Sequence, residues 1–145
     1  MNYREIHIED IKELVEIYIE AFNAPPWNDK WTIETASKRL SQMIKSEGFY
    51  GIIAEESNII YGLILGHEEQ FYDGVLFNIK EFCVRSKLKG QGLGSKIFNE
   101  FEKRLYNKGI NEIILFTCKS NETLEFYKKR GLKEYKNLVI MGKNL

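Results

Sequence analysis

The chain has 145 residues, of which 43% are hydrophobic. This length suits one compact core, so we expect a single domain spanning residues 1–145. Basic and acidic residues number 21 each, which gives a formal net charge of zero. No overall field therefore favours nucleic acid or an anionic membrane as a partner.

The composition also predicts a cytoplasmic protein without a metal site. Cys83 and Cys118 are isolated thiols without CxxC spacing, which is typical of small buried hydrophobes in a reducing compartment. His7 and His67 have no ligand partners at a metal-binding spacing. The longest apolar run falls far short of the roughly 18 residues that a membrane span needs. We expect neither a metal nor a membrane as a partner.

The first half of the chain predicts a strand, two helices and a hairpin. "YREIHI" alternates like a strand, and a helix follows from Ile11 to a point before Pro25. Thr32 is the predicted N-cap of a second helix. "FYGIIAE" and "IIYGLILG" then read as an antiparallel hairpin, because both are β-rich and only a short polar turn separates them.

The second half predicts a strand-helix-strand unit and two further elements. "VLFNIKEFCV" is a strand, and apolar residues at helical spacing mark a helix from Ser95 to Tyr106. There follow the strand "EIILFTC", the helix "NETLEFYKKRG" and the last strand "LVIMGK". The order β-α-α-β-β-β-α-β-α-β predicts an α/β (α+β) fold: a mixed, mostly antiparallel sheet with helices on both faces.

A glycine-rich loop, "VRSKLKGQGLGSKIF" (84–98), connects the predicted strand and helix. Gly90, Gly92 and Gly94 stand at alternate positions, and this GxGxG spacing fits neither the dinucleotide pattern GxGxxG nor the P-loop pattern GxxxxGK[ST]. A glycine turn at a helix N-terminus nevertheless presents N–H groups and a positive dipole end to an anion. We therefore expect a phosphate ligand.

The same stretch resembles the acyl-coenzyme A signature of the GNAT N-acetyltransferase superfamily: Gln or Arg, two residues, Gly, one residue, then Gly or Ala. Lys89, Gly92 and Gly94 occupy these places. Lys89 departs from the pattern, because lysine keeps the charge but lacks the planar fork of arginine. The order of elements over nearly the whole chain is similar too. The resemblance implies the GNAT fold with acetyl-CoA as cosubstrate.

The resemblance also implies where the donor binds. The loop backbone would hold the pyrophosphate, and the preceding strand would pair with pantetheine. Asn121 could bind the pantetheine arm or cap its helix, and capping is the simpler interpretation. The alternative for the loop is a surface turn whose glycines only cap a helix. The implied cofactor-binding residues are Cys83, Val84, Lys89, Gly90, Gln91, Gly92, Leu93, Gly94, Ser95 and Asn121.

Acetyl transfer needs a neutral amine and a protonated leaving thiol, and an alkylamine with a pKa near ~10 is mostly charged at pH 7. Glu81 interrupts an apolar strand three residues before Val84, and the resemblance makes it the candidate base or substrate anchor. Its alternative role is an ordinary strand carboxylate that faces solvent or pairs with Lys80 or Lys119. By resemblance, Tyr127 is the candidate acid that protonates the thiolate, and its alternative role is a core tyrosine beside Phe126.

Two loops would form the acceptor cleft by resemblance: "NAPPWNDKW" and "GHEEQFYDG". Acidic and aromatic side chains there suit a cationic amine, and the candidate substrate-binding residues are Trp27, Glu68, Tyr72 and Glu81. The region around the first loop resembles bacterial members related to aminoglycoside 6'-N-acetyltransferases, which implies a polyamine or aminoglycoside-like acceptor. A protein N-terminus, an amino acid, and a coenzyme A-binding sensor without turnover stay open. The last strand could pair across a homodimer.

Overall fold

A computed structural model describes all 145 residues. The chain divides into two compact units, Met1–Leu115 and Phe116–Leu145. None of its helices is long and apolar enough to cross a membrane. The second unit contains the helix α4 (Asn121–Lys128). The first contains the strands and helices β1 (Asn2–Glu5), α1 (Ile11–Phe22), α2 (Ile33–Ile44), β2 (Phe49–Glu56), β3 (Ile59–Phe71), β4 (Gly74–Val84), α3 (Leu93–Asn107) and β5 (Glu112–Leu115).

The five strands form one mixed sheet in the order β1-β2-β3-β4-β5. Pairing is antiparallel from β1 to β4 and parallel between β4 and β5. The predicted fold class is confirmed. Ser57 and Asn58 both have positive φ in the two-residue turn between β2 and β3, which is the geometry that suits a tight hairpin.

Helices cover both faces of this sheet. On one face, Leu14 of α1 and Leu40 of α2 are fully buried in one cluster with Leu63 and Leu65 of β3. On the other face, α3 packs through Phe101, whose ring lies 5.4 Å from that of Phe77 on β4. Burial of these apolar faces supplies the main driving force for the fold.

Two predicted elements differ from the structure. β3 continues to Phe71, so "HEEQF" belongs to a long hairpin with β4 and not to a loop, since its backbone pairs as far as Gly74. The last strand is absent, and residues 132–145 contain no helix or strand. A strand needs a neighbour for its backbone hydrogen bonds, and the second unit offers no other strand. The homodimer pairing based on that strand stays a prediction.

A β-bulge in β4 determines which way its polar side chains face. Leu65 of β3 pairs with Glu81, but Gly66 pairs with Ile79, so Lys80 is an extra residue on β4. An extra residue shifts the alternation of side chains from one face to the other. Phe77, before the bulge, faces α3. Glu81 would share that face in a regular strand, but the bulge turns it towards α1 and α2.

Candidate active site

The pairing of β4 with β5 ends before the C-terminal end of β4. The parallel pairing with β5 covers Leu76 to Ile79 and stops there. The opposite edge of β4 stays paired with β3 as far as Val84. Beyond Ile79 the pairing with β5 is not continued, so an extended ligand could pair with the edge of β4 near Cys83 and Val84. Cys83 belongs to this part of β4, and its side chain packs against the apolar core as predicted. Cys118 is exposed, so the predicted burial of that thiol is wrong.

The glycine loop follows this edge and is anchored at its start. Arg85 donates from its main-chain N–H to Tyr61 O at 2.8 Å and from Nη1 to Glu20 at 3.1 Å. Glu20 also accepts the main-chain N–H of Ser86 at 2.9 Å. α1, which carries Glu20, therefore fixes the position at which the chain leaves β4.

The loop has the geometry that an anion site needs. Gly90 and Gly92 have φ of +78° and +80°, a backbone region that L side chains rarely adopt. A Cβ added at either glycine would meet no atom within 4 Å, so open space lies over the backbone there. Gly92 is the N-cap of α3, and the first backbone bond into the helix runs from Lys96 N–H to Gly92 O at 3.2 Å. The main-chain N–H groups between Gly92 and Lys96 belong to the first turn of α3. First-turn N–H groups are the ones that a helix N-terminus offers to an anion.

Glu81 lies in the centre of a buried polar cluster on the α1 and α2 face. The residue is 6% exposed. Its Oε1 atom accepts a hydrogen bond from Tyr18 Oη at 3.1 Å and one from Arg39 Nε at 2.6 Å. Tyr18 belongs to α1 and Arg39 to α2, so three elements meet at one carboxylate.

The environment of Glu81 alters its acidity. Burial raises the pKa of the Glu81 carboxyl above its ordinary value, while Arg39 and Tyr18 offset part of that rise. Burial also raises the pKa of the Tyr18 phenol, which therefore remains a neutral donor to Glu81. A carboxylate whose pKa is moved towards neutrality is a stronger base than one on the surface.

Aromatic rings surround this cluster. The rings of Tyr18 and Trp31 meet edge to face at 5.0 Å, and Phe22 lies 5.8 Å from Trp27. Asn23 fixes the loop that carries the tryptophans, because its Oδ1 accepts Trp31 N–H at 2.8 Å and its Nδ2 donates to Trp31 O at 3.0 Å. The "NAPPWNDKW" loop thus lies beside the Glu81 cluster, and its role in an acceptor cleft stays a prediction.

The predicted acceptor residues of the other loop lie elsewhere. Glu68 is exposed on β3 and pairs with Phe77, so it faces the α3 side of the sheet, opposite to Glu81. Tyr72 is fully exposed at the turn between β3 and β4. The structure brings Trp27 close to the Glu81 cluster but brings neither Glu68 nor Tyr72 into it.

The remaining predicted residues of the first unit occupy the loop itself. Lys89, Gly90 and Gln91 are exposed, and Gln91 donates from Nε2 to Lys87 O at 3.2 Å. Leu93 is buried at the start of α3 and holds the helix to the core. Gly94 and Ser95 follow in the first helical turn.

Tyr127 and Asn121 belong to the second unit. Ser120 is the N-cap of α4, and its Oγ accepts the main-chain N–H of Thr123 at 3.2 Å. Capping by Asn121 is therefore wrong, and its side chain is not used for the cap. Burial raises the pKa of the Tyr127 phenol to about 12, assisted by the charge of Cys118. Tyr127 thus holds its proton at neutral pH.

Sequence reasoning missed Tyr18, Trp31 and Arg39 as members of the site. The sequence pattern of α2 indicates the position of Arg39. Arg39 stands three residues after Ala36 and one before Leu40, and both of these residues are fully buried. A cation therefore adjoins the apolar stripe of α2. Asn78 interrupts the apolar run of β4 as Glu81 does. It is 6% exposed, and its Oδ1 atom has no hydrogen-bond partner.

A parallel strand pairing that stops at Ile79, followed by a glycine turn and a helix N-terminus, is typical of a protein that binds an extended ligand with an anionic group at one end. Residues 13–141 match the model of the acetyltransferase (GNAT) domain. The chain therefore belongs to the GNAT acetyltransferases, a family of enzymes that use acetyl-CoA.

Solved structures share this fold. An aminoglycoside acetyltransferase from an uncultured soil metagenomic sample, in complex with sisomicin, is 18% identical over 99% of this chain and 95% of that one, with a TM-score of 0.77. A possible acetyltransferase from Clostridium difficile 630 is 13% identical, with a TM-score of 0.86 and coverage of 99% and 97%. Glucosamine-6-phosphate N-acetyltransferase from Arabidopsis thaliana is 21% identical, with a TM-score of 0.71 and the same coverage.

Proposed function

We propose that this chain transfers an acetyl group from acetyl-CoA to a primary amine of a small molecule, with Glu81 as the base or anchor for the amine and Tyr127 as the acid for the departing thiol. The observation that carries this proposal is the position of Glu81. Its carboxylate is buried on β4, beyond the end of the pairing with β5 and just before the glycine loop.

The residues of the first unit fit the donor. The open space over Gly90 and Gly92 and the amides at the start of α3 suit a pyrophosphate. The edge of β4 beyond Ile79, which includes Cys83 and Val84, suits the amide groups of pantetheine. When bound, acetyl-CoA supplies the acetyl group as an activated thioester. Lys89 is exposed beside the loop and would add a positive charge without bidentate geometry.

Glu81 would act on the proton of the acceptor. An acceptor ammonium must lose a proton before its nitrogen can attack, which costs roughly 4 kcal/mol at pH 7 for an amine of pKa near ~10. A raised pKa makes the Glu81 carboxylate a better proton acceptor, directly or through a water. Trp27 and Trp31 offer aromatic faces to the alkyl or cationic part of the acceptor.

Tyr127 would supply the proton that the departing thiolate takes up. Its phenol is protonated at neutral pH because its pKa is about 12. A phenol can donate to a thiolate without first being charged itself. This role rests on the family resemblance of "FYKKRGL" and on the protonated state of the Tyr127 phenol at neutral pH.

One observation favours a second function, a coenzyme A-binding sensor without turnover. The Oε1 atom of Glu81 already accepts hydrogen bonds from Arg39 and Tyr18. A carboxylate held in this way by its neighbours would serve packing and leave the loop as a binding module. The two functions differ in a single observable, which is whether any amine accelerates the release of coenzyme A.

An amine screen with acetyl-CoA tests the proposal, with thiol release as the readout and mass spectrometry of the product as confirmation. Its arms are polyamines, aminoglycosides, amino acids and peptide N-termini, and the predicted polyamine or aminoglycoside-like acceptor is thus tested directly. We expect at least one arm to give an N-acetylated product. Tight binding of coenzyme A with no turnover in any arm would favour the sensor.

Tyr127→Phe is expected to lower kcat for the best acceptor by about 10- to 100-fold, with little change in KM, because the variant loses the proton for the thiolate but keeps the ring. Steady-state kinetics with acetyl-CoA measure this. Tyr106→Phe is the matched control, since Tyr106 is an exposed tyrosine of α3. An unchanged kcat for Tyr127→Phe would remove Tyr127 from the mechanism.

A further inference from the structure

The guanidinium of Arg39 is held from two directions at the Glu81 cluster. Its Nε donates to Glu81 Oε1 at 2.6 Å. Its Cζ atom lies 6.0 Å from the centre of the Trp31 ring. Trp31 is fixed in turn by Asn23 and by a hydrogen bond from its Nε1 to Asp29 at 3.0 Å. Arg39 therefore has a defined orientation although its backbone belongs to a surface helix.

The ion pair is one-sided. Arginine binds a carboxylate most strongly with two parallel N–H donors, as Arg4 does with Asp10 at 3.0 and 2.8 Å. Arg39 binds Glu81 through Nε alone, and neither Nη atom has a hydrogen bond to that carboxylate. The side chain of Arg39 is 40% exposed, whereas that of Glu81 is 6% exposed. The Nη1–Nη2 end of the guanidinium is the part suited to bidentate binding of a carboxylate or phosphate.

The charges of the cluster also constrain the acceptor. Glu81 and Arg39 together are neutral, so an acceptor that carries only ammonium groups would approach Glu81 against the charge of Arg39. An acceptor with an amine and an anionic group matches both residues. The amine would lie at Glu81 and the anion at the Nη1–Nη2 end of Arg39.

We propose that Arg39 is a specificity-determining residue whose Nη1–Nη2 end binds a carboxylate or phosphate of the acceptor, so that the favoured substrates are small amines that also carry an anionic group. This inference rests on the proposed acetyl transfer, because it assigns the acceptor of the same site. It selects amino acids and phosphorylated amino sugars over polyamines.

Matched acceptor pairs test the inference. One arm is a series of ω-amino acids of two to five carbons against their neutral amides. The other is glucosamine 6-phosphate against glucosamine, which separates phosphate from carboxylate. For the wild type, we expect kcat/KM to be about 10- to 100-fold higher for the anionic member of at least one pair, mainly through KM, as for a charge-assisted bidentate contact.

Two variants assign this preference to Arg39. Arg39→Gln should reduce the ratio of anionic to neutral member to about one, and Arg39→Lys should keep part of it, because lysine retains charge but lacks the fork. A ratio is insensitive to any general loss of activity through Glu81. Arg4→Gln is the control: Arg4 forms an ion pair with Glu55 on the far edge of the sheet, and the ratio should not change.

Coenzyme A affinity and the melting temperature report whether each variant is folded. If Arg39→Gln is unfolded, the ratio of anionic to neutral acceptor measured for Arg39→Lys tests the inference instead. A wild-type ratio at or below one in every pair would overturn the inference while leaving acetyl transfer intact. So would a ratio equal to that of the wild type in folded Arg39→Gln or folded Arg39→Lys. Absence of acetylation for all amines would instead overturn the proposed function and this inference with it.

Discussion

Replacement of Glu81 with glutamine is expected to lower kcat/KM for acetyl transfer by about 100- to 10,000-fold, the range typical of a general base. Glutamine keeps the shape and can still accept a hydrogen bond from Arg39, but it cannot take a proton from the amine. Steady-state kinetics with the best acceptor measure the effect. Replacement of Glu81 is thus expected to lower kcat/KM more than replacement of any other single side chain of the site.

The pH dependence separates base from anchor. A base works as the carboxylate, so kcat/KM of the wild type should rise with pH through the raised pKa of Glu81, and Glu81→Gln should lose this limb. A pure anchor would raise KM in the variant and leave kcat nearly unchanged. Glu55→Gln is the matched control, because Glu55 is also a strand carboxylate paired with an arginine, at 3.0 Å from Arg4 Nε. Equal activity of Glu81→Gln and Glu55→Gln would contradict the role of Glu81.

Gly92→Asp is expected to weaken coenzyme A binding by about 100-fold relative to Gly92→Asn. Gly92 has φ of +80° at the N-cap of α3, and both Asn and Asp tolerate this region better than other side chains. The two variants differ by one negative charge at the proposed pyrophosphate site. Two unit charges about 6 Å apart at an effective dielectric constant of ~20 repel by roughly 3 kcal/mol.

This pair of variants separates binding from folding. Asp and Asn are both favourable N-caps, and Asp also complements the helix dipole, so Gly92→Asp should be at least as stable to urea as Gly92→Asn. Calorimetric titration with coenzyme A gives the affinities. Equal affinities for the two variants would show that the phosphate binds away from the start of α3.

Local patterns were sufficient to predict much of the fold. The apolar spacing of α1 and the cap at Thr32 gave their helices close to the observed bounds, and Thr35 N–H does donate to Thr32 Oγ1, at 3.1 Å. The glycine loop was predictable because positive φ restricts Gly90 and Gly92 to one residue type in practice. In each case the signal lies within a few consecutive residues.

The arrangement of side chains at the proposed acceptor site depends on contacts between residues that are far apart in the sequence. The bulge at Lys80 arises from the register between β3 and β4, and "FNIKEF" carries no local mark of it. Arg39 and Glu81 are 42 positions apart, so the sequence showed an acid within an apolar strand but neither its burial nor its partner. The polar residues around Glu68 predict a loop. Only the pairing of β3 with β4 shows that Glu68 belongs to a strand and which face of the sheet its side chain takes.

The central claim is that the acetyl group passes from acetyl-CoA straight to an amine at the Glu81 site. It is tested most directly by quantifying coenzyme A and N-acetylated product together in a single turnover, with and without the best acceptor. We predict that coenzyme A appears only when the amine is present, in a ratio of about one to the N-acetylated product, and that Glu81→Gln slows both equally. Release of coenzyme A without the amine, or an unchanged single-turnover rate in Glu81→Gln, would contradict this.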